Sequence, residues 1–169
     1  MKRVSQLTAL ALICGLASFS SQAADMANAM TLSQLQAQHG AAIDTRPSAF
    51  YNGWPQTLSG PSGHEPAALN LAAAWLSAMS DEQIALWAKQ HQLTPATSIA
   101  LYGEENDNQA VKARLEKAGY RHVSLLSDAL RTPDRLQRLP HFEQLVYPQW
   151  IHRLQQGKPV TAAPAGEWK

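Results

Sequence analysis

Three carboxylates and two amides stand together behind a glycine, in the order Gly103, Glu104, Glu105, Asn106, Asp107 and Asn108. The apolar run 99–102 before them has the length of a buried strand, and the residues after them have the spacing of an amphipathic helix. In α/β folds, a loop in this position brings backbone N–H groups and the positive end of a helix dipole to one point, where ligands collect. The segment therefore has the position of a functional site.

The same segment lacks the groups that covalent chemistry requires, because it contains no thiol, hydroxyl, histidine or cation. Its oxygen ligands would suit Ca²⁺, but the closing bidentate glutamate of a known calcium loop is missing, which favours a solvated loop. The six histidines form no His-x-x-x-His pair, and the single cysteine is Cys14. The sequence thus predicts no catalytic residue, no metal site and no cofactor on this chain.

The elements that would position this segment can be read from caps and periodicity. Two capping boxes, Thr31 with Gln34 and Ser80 with Gln83, predict helix starts, and Gly40 and Gly119 are expected to end helices. Short strands are predicted over 41–45, 67–71, 97–102 and 122–126, with a long ordered loop over 48–66 and a helix-prone stretch over 72–79. The alternation predicts an α/β fold in which a mostly parallel sheet is flanked by helices in three layers.

Two helical faces are expected to be buried against this sheet. Their residues recur at helical spacing: Ile84, Trp87, Ala88 and His91 in one helix, and Val111, Leu115 and Ala118 in the other.

Residues 1–23 have the pattern of a secretory signal peptide. Lys2 and Arg3 form a positive start, residues 7–16 form an apolar core too short for a bilayer, and small residues precede a cleavage site after Ala23. Cleavage would change the net charge from +1 to −1, because Lys2 and Arg3 leave with the leader. The sequence predicts a periplasmic protein with no membrane span after cleavage and no affinity for nucleic acid.

Several short segments resemble the rhodanese family. These are Ile43-Asp-Thr-Arg46, Tyr51-Asn-Gly53 and Gly63-His-Glu-Pro-Ala-Ala-Leu-Asn70, followed by 97–103 and Ala118-Gly-Tyr120 with Val123. The order and spacing cover about residues 30–130, and the leader is similar to that of exported thiosulfate sulfurtransferases with several rhodanese modules in one chain. The resemblance implies the three-layer rhodanese-like fold.

Rhodaneses move a sulfane sulfur, typically from thiosulfate, through a persulfide on one cysteine. The resemblance puts that cysteine's position at Gly103 and makes 103–108 a degenerate active-site loop. Acidic side chains there would repel thiosulfate and raise a thiol pKa. The resemblance therefore implies a sulfurtransferase-family module that is catalytically inert on this chain.

The end of the chain predicts a second module that is only begun. Residues 148–157 are similar in pattern to 32–40, which suggests domains of 1–23 (leader), 24–143 (non-catalytic rhodanese-like domain) and 144–169 (incomplete start of a second module). The chain would then be truncated, and its partners would be downstream rhodanese modules. The alternative is a free-standing periplasmic binding or interaction module, with partner contact through Tyr147, Trp150, Ile151 and Leu154.

Five further residues are assigned structural roles. His64 is expected to brace a turn, and Arg46 is expected to pair with Asp44 or with the acidic loop. Arg131, Arg135 and Arg138 are expected to line a solvated helix face.

Overall fold

The fold is built on a four-stranded sheet in which every pairing is parallel. A computed structural model describes residues 29–57, 60–144 and 155–157. The strands are β1 (Ala41–Asp44), β2 (Leu69–Asn70), β3 (Ile99–Tyr102) and β4 (Val123–Leu125), in the spatial order β2-β1-β3-β4. The α/β arrangement expected from the sequence is confirmed.

Short helices connect these strands. They are α1 (Leu32–Ala37), α2 (Ser48–Asn52), α3 (Asp81–Gln90) and α4 (Glu105–Lys117), with 3₁₀ turns at Ala73–Trp75, Pro133–Arg135 and Phe142–Gln144. Both predicted capping boxes are present, at Thr31 for α1 and at Ser80 for α3.

The two faces of the sheet bury separate clusters, as a three-layer fold requires. On one face, alternate strand residues pack against α3 and α4, and this cluster contains Ile43, Ile99, Leu101, Ile84 and Val111. On the other face, the intervening strand residues pack against α1, and this cluster contains Ala42, Ala100, Tyr102, Leu32 and Leu35. The period of two along each strand assigns successive side chains to opposite layers.

Three local predictions were wrong. The long loop over 48–66 begins with helix α2, and the helix-prone stretch 72–79 forms only one 3₁₀ turn. His91 lies beyond the end of α3 at Gln90 and is exposed. Of the face predicted to be buried, only Ile84 and Ala88 are buried.

The end of α1 also differs from expectation. His39 takes the left-handed conformation, and the Gly40 N–H donates to the carbonyl of Leu35 at 2.9 Å. Gly40 is required for another reason, since a Cβ there would overlap the Ser98 carbonyl oxygen of the backbone as well as the Leu35 side chain.

After β4, the chain returns across the carboxyl edge of the sheet as an irregular strap, residues 127–144. His64 and Gln137 form an antiparallel bridge between the strap and the 63–66 turn, with N–H to carbonyl distances of 2.8 Å in both directions. Within residues 29–57, 60–144 and 155–157, no helix is both long enough and apolar enough to cross a bilayer.

Candidate functional site

The predicted site lies where β1 and β3 end side by side. Asp44 pairs in register with Tyr102, and the Thr45 N–H donates to the Tyr102 carbonyl at 2.9 Å. Gly103 follows at once, and α4 begins two residues later. The strand–turn–helix unit read from the sequence is therefore present, with its turn against the end of β1.

Gly103 occupies a position that leaves no room for a side chain. Its φ of +147° is rarely adopted by L side chains, and a Cβ atom would overlap Thr45 Oγ1. The same atom would lie 3.3 Å from Arg46 Cγ. Glycine is required here both by the backbone conformation and by the closeness of β1.

The acidic segment is mostly helix and not loop, which corrects the sequence prediction. Glu104 is the extended N-cap residue, and Glu105 to Asn108 form the first turn of α4. Carboxylates are stabilised at this end of a helix, because its dipole is positive there. Burial, and then repulsion from Glu104, raises the pKa of Asp107.

Asn108 was predicted as part of the open loop, but it is buried and fixes the turn. The Thr45 hydroxyl donates to Asn108 Oδ1 at 2.8 Å, and Asn108 Nδ2 donates to the Gly103 carbonyl at 3.3 Å. These bonds hold the start of α4 against the end of β1. The Asn108 amide therefore has a structural role and is not available to bind a ligand in the turn.

Arg46 pairs with Asp44, one of the two partners suggested by the sequence. Its Nη2 lies 2.6 Å from Asp44 Oδ2 and donates to the Gly63 carbonyl at 2.7 Å, and both side chains are buried. Burial raises the pKa of the Asp44 carboxyl, while the Arg46 guanidinium acts in the opposite direction. The cation at the site edge is thus engaged by its own chain.

Sequence reasoning missed a second ionic cluster, centred on Glu65. This fully buried carboxylate accepts from Arg135 Nε at 2.7 Å, from Arg135 Nη2 at 2.9 Å and from the Leu130 N–H at 2.6 Å. Arg135 also reaches Asp128 at 3.2 Å. The visible signal was a charged residue inside the turn motif, directly before a proline, where burial demands a partner.

The arginine prediction is accordingly wrong. Residues 131, 135 and 138 do not share a helix face, because the strap contains no α-helix and only short 3₁₀ turns at Pro133–Arg135 and Phe142–Gln144. Arg135 is the clamp on Glu65, Arg138 lies over the Phe142 ring at 5.4 Å, and Arg131 is exposed.

His64 has the bracing role expected of it. Its ring stacks on Tyr51 with centroids 3.9 Å apart, and Nδ1 donates to the Tyr51 carbonyl at 2.7 Å. This contact fastens the 63–66 turn to helix α2.

The remaining sequence predictions fall on other parts of the chain. Tyr147, Trp150, Ile151 and Leu154 lie outside the described residues, as does the predicted leader. In the part of the chain that the structure describes, no group of three or more His, Cys, Asp or Glu residues is placed to hold a metal ion.

Comparison with known proteins identifies similar sequences and folds. The chain is 68% identical, over all its 169 residues, to thiosulfate sulfurtransferase YnjE of Escherichia coli (strain K12), and it spans 39% of that protein's length. The crystal structure of YnjE matches 82% of this chain and 33% of the solved one, with a TM-score of 0.69 and 69% identity. Wild-type EanB matches 80% of this chain and 33% of its own, with a TM-score of 0.63 and 26% identity. No protein-family profile matches.

Proposed function

We propose that this chain, which has a rhodanese-like fold and is similar to part of a thiosulfate sulfurtransferase, is a non-catalytic, exported module of that family that acts beside catalytic rhodanese modules. Its similarity extends to part of a longer thiosulfate sulfurtransferase, so sulfur transfer is assigned to a cysteine outside this chain. The module would contribute packing surface to that assembly.

The observation that carries the proposal is the lack of space at Gly103. The family resemblance puts the persulfide cysteine at this position, where a Cβ would overlap Thr45 Oγ1 at a φ of +147°. A cysteine substituted at position 103 would therefore not fit this backbone conformation as a thiolate nucleophile.

The electrostatics of the turn support the same conclusion. A persulfide site needs N–H donors and positive potential to stabilise a thiolate. Here Glu104, Glu105 and Asp107 surround the helix start, and the nearby guanidinium of Arg46 is paired with Asp44. Thiosulfate, a dianion, would be repelled from this turn.

Sulfur transfer from thiosulfate to cyanide tests the inertness directly. The purified chain and its Gly103→Cys variant should both turn over at the background rate, beside a cysteine-containing rhodanese as positive control. Turnover by the unaltered chain above background would overturn the proposal. Turnover by the variant alone would show that the missing thiol is the sole defect, against the steric and electrostatic argument.

Export is tested by the intact mass of the protein from the periplasmic fraction of its host. The chain has a mass of 18.5 kDa, and cleavage after Ala23 would lower it by about 2.4 kDa. A mass two to three times larger would place the module in a longer polypeptide. Absence of the protein from the periplasm would contradict export.

A further inference from the structure

A cavity of about 410 Å³ lies between the strap and the 60–62 segment that follows α2. Its volume is within the range of small-molecule sites in proteins. The side chains that line it come from both segments: Pro61, Ser62, Leu130, Pro133, Leu136 and Arg138. None of them belongs to the Gly103 turn, so this cavity is separate from the site described above.

The two walls of the cavity are fixed to each other by bonds at both ends. At one end, the Leu130 N–H donates to the buried Glu65 carboxylate at 2.6 Å. At the other end, the Leu139 N–H donates to the Asn52 carbonyl at 3.1 Å, and the antiparallel bridge of the strap lies between these contacts. The cavity is therefore formed before any ligand enters, which lowers the ordering cost of binding.

The lining is mostly apolar and carries one charge. Arg138 is the only charged residue among those that line the cavity. Its guanidinium lies over the Phe142 ring at 5.4 Å, and its stem packs against Gly53. Within residues 29–57, 60–144 and 155–157, no carboxylate lies at ion-pair distance from Arg138. The cavity thus presents a cation that is held in place without a counter-ion from the described chain.

Other donors along the walls are already used within the protein. The Ser62 hydroxyl donates to the Gly53 carbonyl, and the Leu136 N–H donates to the Pro133 carbonyl at 3.1 Å. The guanidinium of Arg138 is consequently the donor group that a ligand can engage. A planar guanidinium matches the two oxygens of a carboxylate, and such charge-assisted bonds are stronger than neutral ones.

We propose that this cavity binds a small carboxylic acid with an apolar body. The carboxylate pairs with Arg138, and the hydrocarbon part lies between Pro61, Pro133 and Leu136. A cationic ligand would be repelled by Arg138, and a ligand without charge would leave the guanidinium unpaired inside the cavity. Charge and apolar surface therefore select the same class of ligand.

Phenylacetate and its neutral amide provide a matched pair of probes for the charge. Titrated into the full-length protein and followed by NMR at the Ser62 and Leu136 amides, phenylacetate should bind saturably with a dissociation constant on the order of 1 mM or tighter. Phenylacetamide should bind at least about tenfold more weakly.

Arg138→Gln should weaken phenylacetate at least about tenfold and change phenylacetamide less than about twofold. Arg131→Gln removes an exposed arginine from the same strap outside the cavity lining, so it should leave both probes unchanged. Equal binding of phenylacetate by the two variants, or no saturable binding by the parent, would overturn the proposal.

The apolar wall is tested separately. Acetate keeps the carboxylate but lacks the apolar body, and it should bind at least about tenfold more weakly than phenylacetate. Leu136→Trp would fill part of the cavity and should abolish binding of phenylacetate, whereas Leu86→Trp, at an exposed position on α3, should not. If acetate binds as tightly as phenylacetate, or if Leu136→Trp binds like the parent, Arg138 is only a surface cation and the proposal is wrong.

Discussion

The Thr45 hydroxyl lies 2.8 Å from Asn108 Oδ1 and occupies the space that a Cβ atom on Gly103 would need. The end of β1, the turn after β3 and the first turn of α4 therefore meet without a gap. The Thr45 side chain fills the space that any side chain at position 103 would need, so this turn leaves no room for a reactive group.

Gly103→Ala is expected to destabilise the protein more than Gly119→Ala does. Gly119 also has a positive φ, +98°, but nothing lies within 4 Å of its Cβ position. Backbone strain alone should cost about 1–2 kcal/mol at Gly119. The overlap with Thr45 should add at least about 1 kcal/mol at Gly103. Urea unfolding of both variants measures the difference, and equal losses would show that the turn has room to relax.

Arg135→Met is expected to lower the free energy of unfolding by about 3 kcal/mol, because it leaves the fully buried Glu65 carboxylate without its cation. Adding Glu65→Gln removes the unpaired charge and should recover about half of that loss. Arg131→Met, at an exposed position in the same strap, is the control and should change stability by less than about 0.5 kcal/mol. Chemical denaturation measures all of these variants. If the double variant is no more stable than Arg135→Met, the unpaired charge of Glu65 is not the cause of the loss.

Tyr102→Phe and Tyr120→Phe remove hydroxyls from two buried tyrosines with different partners. The Tyr102 hydroxyl accepts from the Glu65 N–H at 3.0 Å, while the Tyr120 hydroxyl reaches the Leu93 carbonyl at 3.4 Å. Because an unpaired buried N–H is costly, Tyr102→Phe should lose about 1–3 kcal/mol. The weaker Tyr120 contact should be worth less than about 0.5 kcal/mol. Thermal unfolding that ranks the two variants in reverse would contradict this assignment.

Acid should weaken the contact between α3 and α4 through Asp81. Its carboxylate lies 2.6 Å from Lys117 Nζ and 3.1 Å from Arg114 Nε, and the bond from Lys117, more than the charge of Arg114, lowers its pKa below 3.8. A carboxyl with a folded-state pKa below its unfolded value stabilises the protein above the unfolded value, and this contribution is lost as the pH falls through the folded one.

The stability of Asp81→Asn and Lys117→Gln should consequently fall less than that of the parent between pH 5 and about pH 2. Lys89→Gln removes an exposed lysine from α3 and should keep the parent's acid dependence. Urea titrations at fixed pH values compare the variants, and parallel curves for Asp81→Asn and the parent would rule out this contact as the cause.

Local signals in the sequence were sufficient for the sheet, the capped helices and the Gly103 turn. Capping at Thr31 and Ser80 and the buried positions Val111 and Leu115 depend on neighbours within a few residues, so spacing alone reveals them. The Glu65 clamp could not be read in this way. Its partner, Arg135, follows 70 residues later in a strap with no periodic pattern.

The acidic turn was misjudged for a related reason. Glu105, Asp107 and Asn108 are compatible with either a solvated loop or a helix start, since both favour these residue types. The bond from Thr45 to Asn108 joins residues 63 positions apart and decides between them. Chemistry-bearing residues could thus be located from the sequence, whereas their burial and partners depended on long-range packing.

The separation of Glu65 from Arg135 has a consequence for the order in which the chain can fold during synthesis. Glu65 emerges 70 residues before its cation, and α3, β3, α4 and β4 all emerge in between. Until Arg135 has left the ribosome, closing the core would bury the Glu65 carboxylate without its cation, which is strongly unfavourable. The nascent module should therefore remain open and accessible to chaperones, and it should close only when the strap arrives.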